Sequence, residues 1–340
     1  MKLPPRPDSP RPRALALGLC LLLAATTAAG ALPRPEPLQE PPADPGSSYL
    51  PGLPPLDAQR ERLFAERGGA FVPAGGVRTH YFDFGDPGSK RVLVFLHGFC
   101  GTGYEADCLA PALVGAGYRI VAPDWPGAGL SDALPDTSME SLSAWLESFA
   151  EALGLKRFAL AGHSLGGFLA ASYAAAYPDR ATELVLIDPA GFQEELGGLV
   201  RDLAASALFV DAAAFFYMPW FYRIFQDGKV LSVPARAPEE VFDFAASALA
   251  TSAGREGVKS IADILAEEPD VAGLERIAAR VLLVWAREDR ILPFYHWTKF
   301  IAALPAGASL RSVEGCGHAP HLEKPEETAA ILLEFLGAGD

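Results

Sequence analysis

Cysteine is scarce, with four in 340 residues, and one of them, Cys20, lies in the apolar N-terminal run. So few thiols exclude a disulfide-knit scaffold. No Cys/His group has metal-ligand spacing either, which argues against a metal centre. Positive charge is also short: 28 Lys and Arg stand against 42 Asp and Glu, a net charge of −14. Beyond the N-terminus no Lys/Arg run occurs, so the basic face that phosphate binding needs is missing and a nucleic-acid partner is not expected. The acidity reads as ordinary solubility. No internal repeat is evident. What is abundant is apolar: half of the residues are hydrophobic and 21% charged, enough for one large core or a core with an inserted subdomain.

The first 31 residues read as a targeting segment. Lys2, Arg6, Arg11 and Arg13 form a positive n-region, Ala14 to Ala25 an apolar h-region, and Ala29-Gly30-Ala31 offers the small residues at which a signal peptidase cuts. The expectation is export, to a periplasm or the exterior. Because the apolar stretch reaches Leu32, close to the ~20 residues that span a bilayer, an uncleaved membrane anchor is the alternative. A lipid-modified Cys20 is a third reading, opposed by the bulky Leu19 before it. Leu32 to Leu56 holds nine prolines in 25 residues and reads as an extended linker. The folded domain is expected over 57–340, opening with a short amphipathic helix at Asp57–Arg67.

From Gly69 onward strand and helix alternate. Phe71–Val72 and Val77–Phe84 flank Gly75-Gly76 as a hairpin. Arg91–Leu96 is a continuous apolar run, as a parallel strand buried on both faces would be. A helix at about Glu105–Ala116 leads to a strand at Tyr118–Ala122. Thr137 to Glu140 resembles a capping box, ahead of a helix with Met139, Leu142, Trp145, Leu146, Phe149 and Leu153 on one face. Strands at Arg157–Ala161, Thr182–Ile187, Val281–Trp285 and Ser309–Val313 complete an α/β pattern, whose sites lie beyond the strand C-termini.

At one such end stands Gly162-His163-Ser164-Leu165-Gly166, between a strand and a helix running from Leu165 to Tyr177. This is the Gly-x-Ser-x-Gly elbow, in which two glycines let strand and helix approach and leave a serine exposed on a strained turn. Such a serine needs a base, and the base needs a carboxylate to orient it, following in the chain order Ser, Asp/Glu, His. Asp289, beyond the strand Val281–Trp285, and His318, beyond Ser309–Val313, keep that order. Asp289 is assigned as the orienting carboxylate and His318 as the general base, ahead of Glu288 and Asp188 for the acid and His321 for the base. His163 reads as a packing or gating residue, His97 as a backbone hydrogen-bonder, and Asp124 with Gly127 and Gly129 as a turn former.

His97-Gly98-Phe99, the run Asp124 to Ser131, Gly162 to Gly167, Glu288 to Pro293, and Gly317 to Pro325 occur in an order that resembles the α/β-hydrolase fold superfamily, from about Phe71 to the C-terminus. The resemblance implies a mostly parallel central sheet flanked by helices, with a helical cap inserted after the sixth strand, here about 190–271. It implies oxyanion amides at Phe99 and Leu165, although Cys100 follows Phe99 where the loop more often carries a small residue. It also implies no cofactor. In the cap interval the strand-helix alternation breaks, and Leu208, Phe209, Phe215, Phe216, Tyr217, Met218, Trp220, Phe221, Tyr222 and Phe225 crowd together. These are read as cap packing, with a minority lining an acyl pocket or a lid that meets lipid.

The function expected is hydrolysis of a small apolar ester or lipid by an acyl-enzyme route, with membrane association through the N-terminal segment or the cap. On the same triad the alternatives are carbon-carbon hydrolysis of a diketone and cofactor-free haloperoxidase chemistry. Epoxide hydrolase and dehalogenase are disfavoured, since those relatives carry aspartate where Ser164 stands. From another class comes a hydrolase-like protein that binds an apolar ligand. Cys100 and Cys108 allow a disulfide in an exported compartment, the other reading being two buried thiols. N-terminal sequencing of the mature protein is expected to find a new terminus near Leu32, whereas Met1 in the membrane fraction would establish the anchor.

Overall fold

The computed structural model describes residues 56–192, 238–249, 251, 254, 257, 264 and 273–337. The targeting segment, nearly all of the linker and the aromatic stretch from Leu208 to Phe225 lie outside the described residues. Among those described, no helix is long and apolar enough to cross a membrane.

Eight strands form one sheet in the order β1-β2-β4-β3-β5-β6-β7-β8. The strands are β1 (Ala70–Ala74), β2 (Val77–Phe84), β3 (Val92–Leu96), β4 (Arg119–Pro123), β5 (Phe158–His163), β6 (Ala181–Ile187), β7 (Arg280–Ala286) and β8 (Ser309–Val313). The β1/β2 hairpin turns through Gly75 and Gly76 at φ 58° and 82°, the left-handed pair that a two-residue turn matched to strand twist requires. β2 pairs antiparallel with β4, and every pairing from β4 to β8 is parallel.

Apolar continuity in the central strands has a geometric cause. Successive side chains point to opposite faces, so a strand covered on both sides can afford no polar alternate. Leu93 and Phe95 join one core with Ala161, Val185 and Val284. Val94 and Leu96 join another with Leu160, Leu184 and Leu283. Helices α3 (Met139–Ala152) and α4 (Leu165–Ala176) cover the second face. α2 (Ala110–Gly115) and α8 (Pro325–Gly337) cover the first, with α6 (Trp297–Ala303) and the short α7 (Pro320–Glu323) between β7 and α8.

α3 buries Leu142, Trp145, Leu146 and Phe149 as its periodicity predicts, but the cap is Ser138, whose Oγ accepts from the Ser141 amide, rather than Thr137. The helix expected over Glu105–Ala116 is broken into a 3-10 turn (Gly103–Cys108) and α2. Pro111, without an N–H and with a ring that would strike the carbonyl four residues back, forbids one continuous helix. α1 (Ala58–Arg67) is capped by Asp57, whose carboxylate accepts from Gln59 and Arg60. Within the interval expected to form the cap, α5 (Glu239–Leu249) is described, and it packs Val241, Phe242 and Ala245 on Ala319 and Leu322, and Phe244 on Leu63, Phe82 and Leu130.

The winding reverses at β3. From there the chain goes to β4 on one side and then to β5 on the other, leaving the loops after β3 and β5 side by side at a switch point. Asp124, at the end of β4, secures that region. Its fully buried carboxylate accepts from His80 Nδ1 at 2.8 Å, the Gly103 amide at 2.7 Å and the Leu130 amide at 2.9 Å. His80 Nε2 donates to the Gly68 carbonyl at 2.9 Å, so both ring nitrogens face oxygen acceptors.

Burial would push the Asp124 carboxyl up, but the His80 charge and these hydrogen bonds hold it below the usual range. A depressed carboxyl stabilises the fold above its unfolded value of about 3.9 and loses that contribution on acidification. Asp124→Ala is therefore expected to cost about 3–5 kcal/mol in urea unfolding at neutral pH. The gap from the parent protein should narrow as pH falls through the carboxylate range.

Candidate active site

β5 runs on to His163, and Ser164 follows it at φ 52°, ψ −120°, a left-handed conformation costing a non-glycine residue about 1–3 kcal/mol. The surroundings hold it there. The Ser164 amide donates to Ile187 O at 2.9 Å, and its carbonyl accepts from Gly167, Phe168 and Ala190 at 2.9, 3.1 and 2.9 Å. The flanking glycines are required by close approach. A Cβ at Gly162 would fall on the Gly166 backbone, and one at Gly166 on the carbonyls of Leu96 and His97.

Above the elbow, His318 bridges two loops. Its Nε2 is 2.9 Å from Ser164 Oγ and its Nδ1 is 2.7 Å from Asp289 Oδ2. The carboxylate can only accept, so Nδ1 carries the proton and Nε2 presents its lone pair to the serine hydroxyl. Asp289 is held in turn, with Oδ1 accepting from the amides of Ile291 at 2.7 Å and Leu292 at 2.9 Å. The three side chains meet as the chain order anticipated, 154 and 29 residues apart.

The competing residues are engaged elsewhere. Glu288 accepts from the Gly315 and Cys316 amides, tying the β7 loop to the β8 loop. His321 Nε2 lies 3.1 Å from Glu105 Oε2, away from the serine. Asp188, fully buried, accepts from the Ala286 amide at 2.8 Å; burial and then the Asp289 charge hold its carboxyl well above the usual range. His97 Nδ1 lies 2.8 Å from the Gly98 carbonyl and 2.8 Å from the Trp125 indole nitrogen, and burial keeps the ring neutral.

Leu165 opens α4, so its amide has no acceptor within the helix. Phe99 sits in a tight turn closed by Gly101 N to Gly98 O at 3.1 Å, with Cys100 at φ 61°, the conformation this loop takes despite its side chain. Cys100 and Cys108 are not joined in a disulfide, and burial pushes both up to about 12, so neither supplies a thiolate beside the serine.

Two buried groups have ligand-type atoms within 4.8 Å of one another: Asp188 with Asp289 and His318, residues the sequence had already put forward, and Glu105 with His163 and His321, of which sequence spacing carried no hint. Glu105, two residues from Asp107, carries no motif or spacing signal in the sequence, and its partners lie 58 and 216 residues away.

Residues 91–325 match the family described as the alpha/beta hydrolase fold. The chain is similar to a 2-hydroxy-6-oxononadienedioate/2-hydroxy-6-oxononatrienedioate hydrolase of Paraburkholderia phymatum, 31% identical over 283 residues that cover 77% of this chain and 91% of that protein. It is similar to the monoacylglycerol lipase abhd6-A of Xenopus laevis, 25% identical over 290 residues covering 79% and 82%. Among solved structures it resembles a meta-cleavage product hydrolase of Pseudomonas fluorescens, with a TM-score of 0.66, 23% identity, and coverage of 80% of this chain and 98% of that one.

The elbow's packing makes a test of its own. Gly166→Ala is expected to cost about 1–3 kcal/mol in urea unfolding, because a methyl would press on immobile backbone. Gly115→Ala, at a helical glycine with open space around it, is expected to be neutral or slightly stabilising.

Proposed function

We propose, from the premise that the chain belongs to the α/β-hydrolase fold family, that this hydrolase cleaves carboxylic esters with apolar acyl groups through an acyl-enzyme. The observation that carries the reading is the relay Ser164–His318–Asp289, with each proton assigned by geometry. His318 Nε2 takes the hydroxyl proton as Ser164 Oγ attacks the ester carbonyl, and Asp289 stabilises the resulting imidazolium. The amides of Phe99 and Leu165 receive the oxyanion. Collapse expels the alcohol, protonated by His318, and water then repeats the cycle to release the acid.

Three things favour an apolar, uncharged substrate. Phe99, which follows the Gly98 that lies against Ser164, is only partly buried. The buried acids Glu105 and Glu323, on the loops around these residues, disfavour an anion there. The lipase of Xenopus laevis is among the relatives. We carry export through the N-terminal segment into the same proposal.

A second reading, hydrolysis of a carbon-carbon bond in a vinylogous diketone, is supported by the Paraburkholderia phymatum relative and uses the same three residues. A p-nitrophenyl ester series run against a vinylogous diketone acid separates the two. Turnover of the esters, rising with acyl length, is expected; turnover of the diketone alone would replace the ester reading with the second. Ser164→Ala should abolish fluorophosphonate labelling and leave about 10³ to 10⁴-fold catalysis over water. Undiminished turnover in that variant would remove the serine from either scheme.

A further inference from the structure

The groups assigned to the reaction arrive on four loops, and a single imidazole that takes no part in proton transfer ties together three of them, those of Phe99, Ser164 and His318. His163, between β5 and the nucleophile, directs Nε2 at the backbone carbonyl of His318, 2.7 Å away. A carbonyl accepts, so Nε2 carries the ring's proton and Nδ1 is a bare lone pair. That atom is buried without a hydrogen-bond partner, 3.9 Å from Glu105 Oε2. Burial, with the neighbouring His321 and His318, holds the His163 ring well below the ordinary histidine range and hence neutral.

The loops converge on this ring. Its centroid is 4.9 Å from that of His318 and 4.5 Å from that of His321. Gly98 lies against it so closely that a Cβ there would stand 2.8 Å from Nδ1. Glu105, on the 3-10 turn after the Phe99 loop, accepts from His321 Nε2 at 3.1 Å, joining that turn to α7, which follows His318.

We infer that Glu105, His163 and His321 form a positioning network, which holds the backbone of His318 and the Phe99 loop in register with Ser164. His163 supplies the bond to the base loop, and Glu105 with His321 closes the far side. The negative charge of Glu105 also lies on the side of His163 away from His318, where it favours the imidazolium that forms during reaction. No member touches substrate, so loss of the network acts on kcat and leaves KM nearly unchanged. A misplacement of about 1 Å at a reacting group can cost about 10²-fold.

The inference rests on the serine-hydrolase reading, and the experiment is arranged so that the two can fail separately. His163→Ala, His163→Gln and Glu105→Ala are compared with the parent for ester kcat and KM, for the rate of fluorophosphonate labelling, and for the downfield proton NMR resonance of His318 Nδ1–H. The expected result for His163→Ala is a kcat about 10²-fold lower, KM within twofold, equally slowed labelling, and a shifted or broadened His318 resonance. His163→Gln, whose amide nitrogen can reach the same carbonyl, should recover much of the loss. Glu105→Ala should perturb the same resonance with a smaller fall in kcat, and it serves if His163→Ala does not fold.

Parent-like kcat and an unmoved resonance in folded His163→Ala or Glu105→Ala would overturn the network. So would loss of activity in His163→Ala through KM alone. A parent protein that fails to label or turn over ester counts against the hydrolase reading instead, and the NMR comparison still decides the positioning claim.

Discussion

α4 can meet the ends of β3 and β5 only where side chains are missing, and that close approach is the constraint on which the site depends. Gly166 rests on the carbonyls of Leu96 and His97, and Gly162 on the backbone of Gly166, with no room for a methyl at either place. The approach bends the chain so sharply that Ser164 takes a left-handed conformation. It also aims the first amides of α4 at the space in front of the serine. Strain at one residue, opposed by four backbone hydrogen bonds around it, is thus the local cost of an exposed hydroxyl.

A second constraint is the sorting of acids. Asp289, Glu288, Asp188, Glu105 and Glu323 all lie near His318 or on the loops that carry it, yet they do different things. Asp289 receives two amides and the His318 Nδ1–H, and so orients the imidazole. Asp188 meets a single amide, and burial with the Asp289 charge raises its carboxyl well above the usual range. Glu288 and Glu323 take amides of the base loop, at Gly315 with Cys316 and at Gly317 respectively, and fix that loop from either side of Cys316. Glu105 faces imidazoles. The number and kind of donors each carboxylate meets decides its part, and all of those donors are set by loop conformation.

Much of the fold was legible because its signals are local. Continuous apolar runs marked β3 and β5, since a strand covered on both faces has no polar alternate; Gly75-Gly76 marked the hairpin, and the helical face from Leu142 to Phe149 marked α3. Local signals also misled. The apolar stretch around Glu105 looked like one helix until Pro111 is considered, and Thr137 looked like the cap that Ser138 supplies.

Ser164, Asp289 and His318 could be proposed together from sequence because an elbow, a chain order and strand-end positions are written in residue types and spacings. The donors that Asp188, Glu288 and Asp289 each face, and the direction in which the rings of His318 and His321 point, are set only by the folded loops. The ties among Glu105, His163 and His321 had no sequence trace at all. By itself the chain determined strands, helices, the glycine-flanked serine and the candidates for its partners, because these follow from hydrophobic period and backbone sterics within short windows. Tertiary structure alone decided which candidates pair, which carboxyl burial raises and which histidine braces the others. Those outcomes depend on burial and on contacts between residues up to 216 positions apart, which short windows do not record.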